Sequence, residues 1–409
     1  MRSIRKRLTA AGLLTIFTIS TLLSLLLSLS RELNETRSGN KPQFRSELRE
    51  QPSAKQRTCD VFSNHDGIHD IELVVFGDSW VDDKLIAGQE KRGKTWPEVF
   101  CQDINCTSRL TFAASQPQSS YPYFEPVGVY TSHRTHDIAH NRTSAHASHM
   151  LPDLESQIDS YLSISTSNTA SRNTIFLLSL GFWDIHSLAA LTLNVSRGII
   201  EQCIYDIFGQ LDRLYENFNG AARSLDMNQR THESREFCVI LPKVLDPTLS
   251  PGWLKQRNLS QVASSTVEQQ KNAIYLTGLW NEHLENKTRA WNLKDRVGPK
   301  VHQTKFIQGN RKLISILNIP QILLDIIFNY YTDSSLRHDA VSSSLECLHE
   351  PCVKIHQPAS FNSMSQSNTS GVQICPRPEN FMWWDAWHVG PVGNDIVGKS
   401  VRRAILEHA

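Results

Sequence analysis

Apolar positions in this chain fall into two kinds of run, and the alternation between them is the first structural signal. Ile71-Glu72-Leu73-Val74-Val75-Phe76 is apolar almost throughout and stops at Gly77, the pattern of a strand buried on both faces. Thr174-Ile175-Phe176-Leu177-Leu178-Ser179-Leu180 is a second run, leading into Gly181-Phe182-Trp183-Asp184, and Phe237 to Leu241 is a third, stopped by Pro242. Helical spacing takes over in between. Leu151, Leu154, Ile158 and Leu162 predict a helix over 151–163, and Ile200, Cys203, Ile204, Ile207, Phe208, Leu211 and Leu214 predict a longer one around 197–218. Thr95 is placed to cap a further helix with Pro97 in its first turn, and helices are also predicted over 262–291 and from Val392 to His408. Apolar strands alternating with amphipathic helices predict an α/β domain, a three-layer α/β/α sandwich around a parallel sheet. Ligands of such sheets bind beyond the C-terminal strand ends, where Ser79 and Asp184 are both expected.

The N-terminal segment follows another pattern. Arg2, Arg5, Lys6 and Arg7 precede 23 uncharged residues, Leu8 to Ser30. As a helix these span about 34 Å, against a bilayer core of roughly 30 Å. Basic residues on the N-terminal side keep that end cytosolic. The expected organisation is a basic tail (1–7), a transmembrane signal-anchor (8–30), a polar stem (31–68) and a domain over 69–409 that is lumenal or extracellular. This is the layout of a single-pass type II membrane protein. The alternative is a signal peptide cleaved after Ser30, which leaves a secreted protein.

Two compositional features fit the secretory pathway. Seven glycosylation sequons follow the apolar segment, at Asn34, Asn105, Asn141, Asn194, Asn258, Asn286 and Asn368. All eight cysteines also follow it, and an even number in an oxidising compartment suggests disulfides. Cys101–Cys106 and Cys347–Cys352 are attractive short loops, whereas Cys203 and Cys238 sit in a predicted helix and strand and fit buried thiols best. A formal net charge of +1 gives no electrostatic reason to expect nucleic acid. No Walker A sequence, dinucleotide glycine fingerprint or zinc-protease helix is present, so no cofactor is expected.

The chemistry lies at the two ends of the domain. Gly77-Asp78-Ser79-Trp80 closes the first strand, and Asp385-Ala386-Trp387-His388 precedes the terminal helix. A serine hydroxyl becomes a nucleophile when a base takes its proton and a third group fixes the base's tautomer. Ser79, His388 and Asp385 supply those three parts, and the Ser79 backbone N–H is one candidate donor to the oxyanion.

These two blocks, with Gly390-Pro391 and the closing helix, resemble the GDSL, or SGNH, hydrolase superfamily over residues 70–409. The resemblance implies a flavodoxin-like fold, with Ser79 as nucleophile, His388 as base and Asp385 as its partner. It departs from the family pattern at Trp80, where Leu is usual, and at Trp183, where the family carries the Asn that donates to the oxyanion. The second block, Thr111-Phe112-Ala113-Ala114-Ser115-Gln116, lacks the family's glycine. Gly181, Trp183, Asp184 and Ser115 are therefore the candidates for the oxyanion or substrate pocket. The chain is also similar in layout to membrane-anchored Golgi polysaccharide O-acetyltransferases and esterases. The expected activity is hydrolysis of O-acyl esters, acetyl esters of glycans among them. An O-acyltransferase using the same serine and an inactive glycan-binding protein are the alternatives.

Two other groupings carry weaker signals. Trp80, Trp183, Trp383, Trp384 and Trp387 fall in or beside the blocks and suit either sugar stacking or core packing, with packing favoured for Trp383 and Trp384. His133, His136, His140, His146 and His149 crowd a polar stretch without metal-ligand spacing, so a solvated loop is expected there and no metal site.

Overall fold

Five strands, β1 (Ile71–Gly77), β2 (Ser108–Thr111), β3 (Asn173–Ser179), β4 (Glu236–Pro242) and β5 (Arg311–Leu317), form one sheet in the order β2-β1-β3-β4-β5. All four pairings are parallel. They belong to a computed structural model that describes residues 71–83, 90–115, 128–140, 151–165, 173–226, 236–253, 264–293, 311–336, 345–356 and 371–406. The helices are α1 (Trp96–Asp103), α2 (His133–His140), α3 (Leu154–Ser165), α4 (Phe182–Leu188), α5 (Leu193–Asp226), α6 (Thr266–Leu293), α7 (Ile319–Leu336) and α8 (Pro391–Leu406).

Alternate strand residues feed two separate cores, which is why the strands are apolar throughout. Val74, Phe76, Phe176, Leu178, Val239 and Leu241 pack with Ile158 of α3, Ile204 and Leu211 of α5 and Leu276 of α6. On the other face Leu73, Val75, Ile175, Leu177 and Ile240 meet Phe100 of α1, Leu323 of α7 and Val397 and Val401 of α8. Each such side chain contributes roughly 1.5–3 kcal/mol by leaving water. Strand order reverses direction between β1 and β3, and the crevice opened there lies at their C-terminal ends.

The predicted strands and helices are present, most with end shifts of a few residues, while the helix predicted around 197–218 runs from Leu193 to Asp226. The helix predicted from 151 begins at Leu154, because the Asp153 carboxylate caps it by accepting from Ser156 N and Oγ. At α1 Thr95 forms the expected start, with Glu98 Oε2 accepting from the Thr95 N–H at 2.7 Å. Sequence reading did not predict β2, β5 or α7. β2 is a four-residue edge strand and half-polar, while β5 passes into α7 with only Asn318 between them, so the apolar run changes period without a gap. The histidine-rich stretch, expected as a solvated loop, is helix α2 over 133–140, with the His133 ring 3.0 Å from the Leu151 carbonyl.

Beyond α7, β6 (Cys347–Pro351) pairs in parallel with β9 (Phe381–Trp383), and β7 (Val353–His356) pairs antiparallel with β8 (Gly371–Ile374). Cys101 and Cys106 form the expected disulfide. Cys352 does not bond Cys347. It bonds Cys375, which follows β8, because the β7–β8 hairpin brings the two together and Cys375 N donates to Cys352 O at 3.0 Å. Cys203 is a buried free thiol as expected, but Cys238 is disulfide-bonded. The apolar segment 8–30, the stem 31–68, His146, His149 and the sequons at 34, 141, 258 and 368 lie outside the described residues. No helix among the described residues is long and apolar enough to cross a membrane. The three sequon asparagines within them, Asn105, Asn194 and Asn286, are exposed.

Candidate active site

The β1 end is shaped by Gly77, whose φ of +155° places its Cα where a Cβ would sit 2.4 Å from the Ser179 carbonyl oxygen. That close approach lets Asp78 N donate to Ser179 O at 3.1 Å, locking the nucleophile turn to β3. Gln157, buried on α3, grips the same peptide from both sides. Its Oε1 accepts from Gly77 N at 2.8 Å and its Nε2 donates to Gly77 O at 3.0 Å. The chain then curls, with Val81 N and Asp82 N both donating to Asp78 O. Ser79 sits within this turn, and its own N–H has no acceptor among the described residues.

Across the crevice, Gly181 (φ +110°) turns β3 sharply into α4. The second residue of that helix, Trp183, is fully buried and its Nε1–H donates to Ser79 Oγ at 3.0 Å. Gly128 makes room for it: a Cβ there would lie 1.6 Å from the indole. Trp183 also packs edge-on against Phe182, His186 and Trp387, with centroids 5.2, 5.7 and 5.5 Å away. Trp387 carries this aromatic wall to the C-terminal block.

That block is a tight turn between β9 and α8. Asp385 Oδ1 accepts from Trp387 N and His388 N, each at 2.8 Å, while His388 Nδ1 lies 2.8 Å from both carboxylate oxygens. Burial alone would raise the Asp385 pKa. The His388 imidazole, the Trp387 amide and Arg92 together reverse this and bring it to about 2. An ionised Asp385 has only acceptors, so the His388 Nδ1 facing it carries a proton, which leaves Nε2 as the ring nitrogen that can act as a base. Nε2 is buried and has no hydrogen-bond partner among the described residues, so Ser79 Oγ is bonded to Trp183 and not to His388. Glycine again permits the packing, since Gly252 N donates to Ala386 O at 2.8 Å with its Cα against the Trp387 ring.

The structure therefore joins Ser79 to Trp183 and Asp385 to His388, and Trp183–Trp387 contact links the pairs. Ser79, Asp385 and His388 are only 1%, 4% and 4% exposed, which makes the site a closed one. Asp184 and Ser115 do other work. Asp184 accepts from Thr131 N and Thr131 Oγ1, fixing the segment that carries Gly128, and Ser115 Oγ donates to Asp82 Oδ2 at 2.6 Å. Trp383 and Trp384 are buried beneath the turn, as expected for packing residues. Among the described residues no group of three His, Cys, Asp or Glu is placed to hold a metal ion. Three site residues escaped sequence reading: Gln157, Gly128 and Arg92, whose Nη2 donates to the Ser79 carbonyl at 3.1 Å.

Asp78 behaves unlike its neighbour Asp385. Burial, followed by the charges of Asp184 and Asp82, outweighs the Trp80 N–H bond to its Oδ1 and lifts its pKa from 3.8 to about 8. Below about pH 4 it is neutral folded or unfolded. Between pH 4 and 8 only the unfolded chain releases the proton, so this residue makes stability fall as pH rises across that window. Asp78→Asn keeps the acceptor for Trp80 N and removes the proton. It is expected to stabilise the protein at pH 8 by on the order of 2–3 kcal/mol, with the gain vanishing near pH 4. Denaturant melts of both proteins across that range check this.

Compared with known proteins, the chain matches no family model, and no curated protein matches it.

Proposed function

We propose that this protein is a serine-dependent esterase of the SGNH type, a flavodoxin-like three-layer fold acting on O-acyl esters. The observation that carries the reading is the Asp385–His388 pair, held at 2.8 Å with the buried imidazole Nε2 unpartnered among the described residues and linked to Ser79 through the Trp387–Trp183 contact. In this mechanism Ser79 Oγ adds to the ester carbonyl while His388 Nε2 takes its proton. The tetrahedral oxyanion is met by the Ser79 N–H and by the Trp183 Nε1–H, which stands where the family's Asn would. The C–O bond to the alcohol then breaks as His388 returns the proton to that oxygen. Water, deprotonated by His388, releases the acid from acyl-Ser79.

A cavity of about 20 Å³, lined in part by Asp78, Trp80, Ser179, Phe182 and Leu245, adjoins the nucleophile turn. Trp80, only partly buried beside Ser79, is the aromatic side chain that supports a glycan as the alcohol. The disulfides at Cys101–Cys106 and Cys352–Cys375 and the exposed sequon asparagines support residence in the secretory pathway, anchored through residues 8–30.

A second reading, a glycan-binding protein without activity, rests on Ser79 Oγ accepting from Trp183 rather than meeting His388. A fluorophosphonate probe on the folded full chain separates the two. Adduct formation mapped by peptide mass spectrometry to Ser79 is the expected result. Intact Ser79 after prolonged exposure to the probe would favour the binding protein and end the esterase reading.

A further inference from the structure

Arg92 lies between the two halves of the site: its side chain bonds the Ser79 turn, and its neighbour Gly93 packs against Pro391, three residues past His388. Arg92 closes the short 3₁₀ turn Glu90–Arg92, is 8% exposed, and donates from Nη2 to the Ser79 carbonyl oxygen at 3.1 Å. Its Nε is buried and has no acceptor among the described residues. Three carboxylates act on its charge: Asp385 first, then Asp82 and Glu98. All three carry hydrogen bonds of their own, Asp385 to His388 and to Trp387 N. Asp82 accepts from Ser115, and Glu98 accepts from Arg109 Nη2 at 3.1 Å and from Thr95 N. Asp385 is the carboxylate whose charge Arg92 chiefly answers, and Asp385 in turn is held ionised partly by Arg92.

Burying a guanidinium costs several kcal/mol, and among the described residues no ion pair in direct contact offsets it. A neutral donor would serve the Ser79 carbonyl equally well, so the hydrogen bond alone does not account for a cation at this place. We infer that Arg92 is a positioning residue: one buried guanidinium fixes the Ser79 backbone by its hydrogen bond and, from a segment packed on the start of α8, supplies positive charge to the Asp385–His388 side of the site. The inference rests on the esterase reading above. It adds a residue that never touches substrate, yet sets the geometry of attack and the pH at which the base becomes available.

The test uses the full chain, p-nitrophenyl acetate as substrate, and the variants Arg92→Gln and Arg92→Lys. Gln keeps a donor for the Ser79 carbonyl and loses the charge. It is expected to lower kcat by about 10–100-fold with KM unchanged. Removing a buried positive charge makes the dyad easier to protonate, so the acidic limb of kcat/KM moves up by about 0.5–1 pH unit. Arg92→Lys, which keeps the charge, returns that limb to its wild-type position. Wild-type kcat and an unmoved limb in the Gln variant overturn the inference. So does an equal loss in both variants with no movement, which would mark Arg92 as merely structural. Should the Gln variant fail to fold, the Lys variant decides: an unmoved limb with a loss below about tenfold supports the inference, and a displaced limb sinks it. Failure of the wild-type protein itself to label at Ser79 or turn over ester strikes at the esterase reading and is thereby distinct.

Discussion

Ser79→Ala is expected to abolish detectable acyl-enzyme and to reduce ester turnover by at least about 10⁴-fold. The size follows from what is lost: without Oγ no covalent intermediate forms, and what remains is water attack in a site that still positions the ester. The fold should survive, because Ser79 is small and its turn is held by backbone bonds from Asp78, Val81 and Asp82 rather than by its hydroxyl. The one local cost is the Trp183 Nε1–H, which loses its acceptor, at roughly 1–3 kcal/mol. Thermal melting beside a turnover assay separates the two effects. A Ser79→Ala protein that melts slightly lower yet hydrolyses ester at the wild-type rate would assign the chemistry to another residue.

Asp385→Asn should cost about 10³–10⁴-fold in kcat while leaving the turn intact, and the backbone dictates why. Trp387 N and His388 N both donate to Oδ1, so the amide oxygen of an Asn must stay there. Its NH₂ group is then forced into the Oδ2 position, facing His388 Nδ1. Nδ1 becomes the acceptor, the ring proton moves to Nε2, and the nitrogen meant to receive the serine proton is already occupied. Nitrogen NMR of the imidazole would record the exchange of tautomers directly. A variant with normal Nδ1–H and normal turnover would remove Asp385 from its assigned role. Above about pH 4 the native carboxylate also contributes its full share of stability, which is lost as pH falls from there through about 2, and the Asn variant lacks that dependence.

Much of the scaffold was legible because burial writes itself into local pattern. β1, β3 and β4 are buried on both faces and read as unbroken apolar runs, and α5 shows its stripe at Ile200, Ile204, Ile207 and Leu211. Ser79 and the Asp385–His388 pair were legible for a related reason, since each stands directly beside an element whose end the sequence marks. Arg92 was not. It lies in the charged stretch Glu90-Lys91-Arg92-Gly93-Lys94, which reads as a solvated face, and only tertiary packing buries it. Gln157 did carry a signal: it is a polar residue three positions after Leu154 and one before Ile158, on the apolar side of α3, where an amide needs a specific partner. The Cys352–Cys375 bond depends on a hairpin whose two strands are separated by a long insertion, so loop length pointed to the shorter pairing.

The order of parts along the chain has a consequence for biosynthesis. The five-stranded sheet and the Ser79 turn are complete once Leu317 has emerged, yet the base arrives with β9 and its partner helix α8 at the other end of the domain. Docking of α8 is registered against the N-terminal part, since Trp96 N donates to Asn394 Oδ1 at 3.1 Å, and Asn394 Nδ2 in turn donates to Val389 O beside His388. Because Val397 and Val401 of α8 also fill the core on one face of the sheet, that face stays open until the helix docks. On the proposed reading, chemistry at Ser79 therefore waits on β9 and α8.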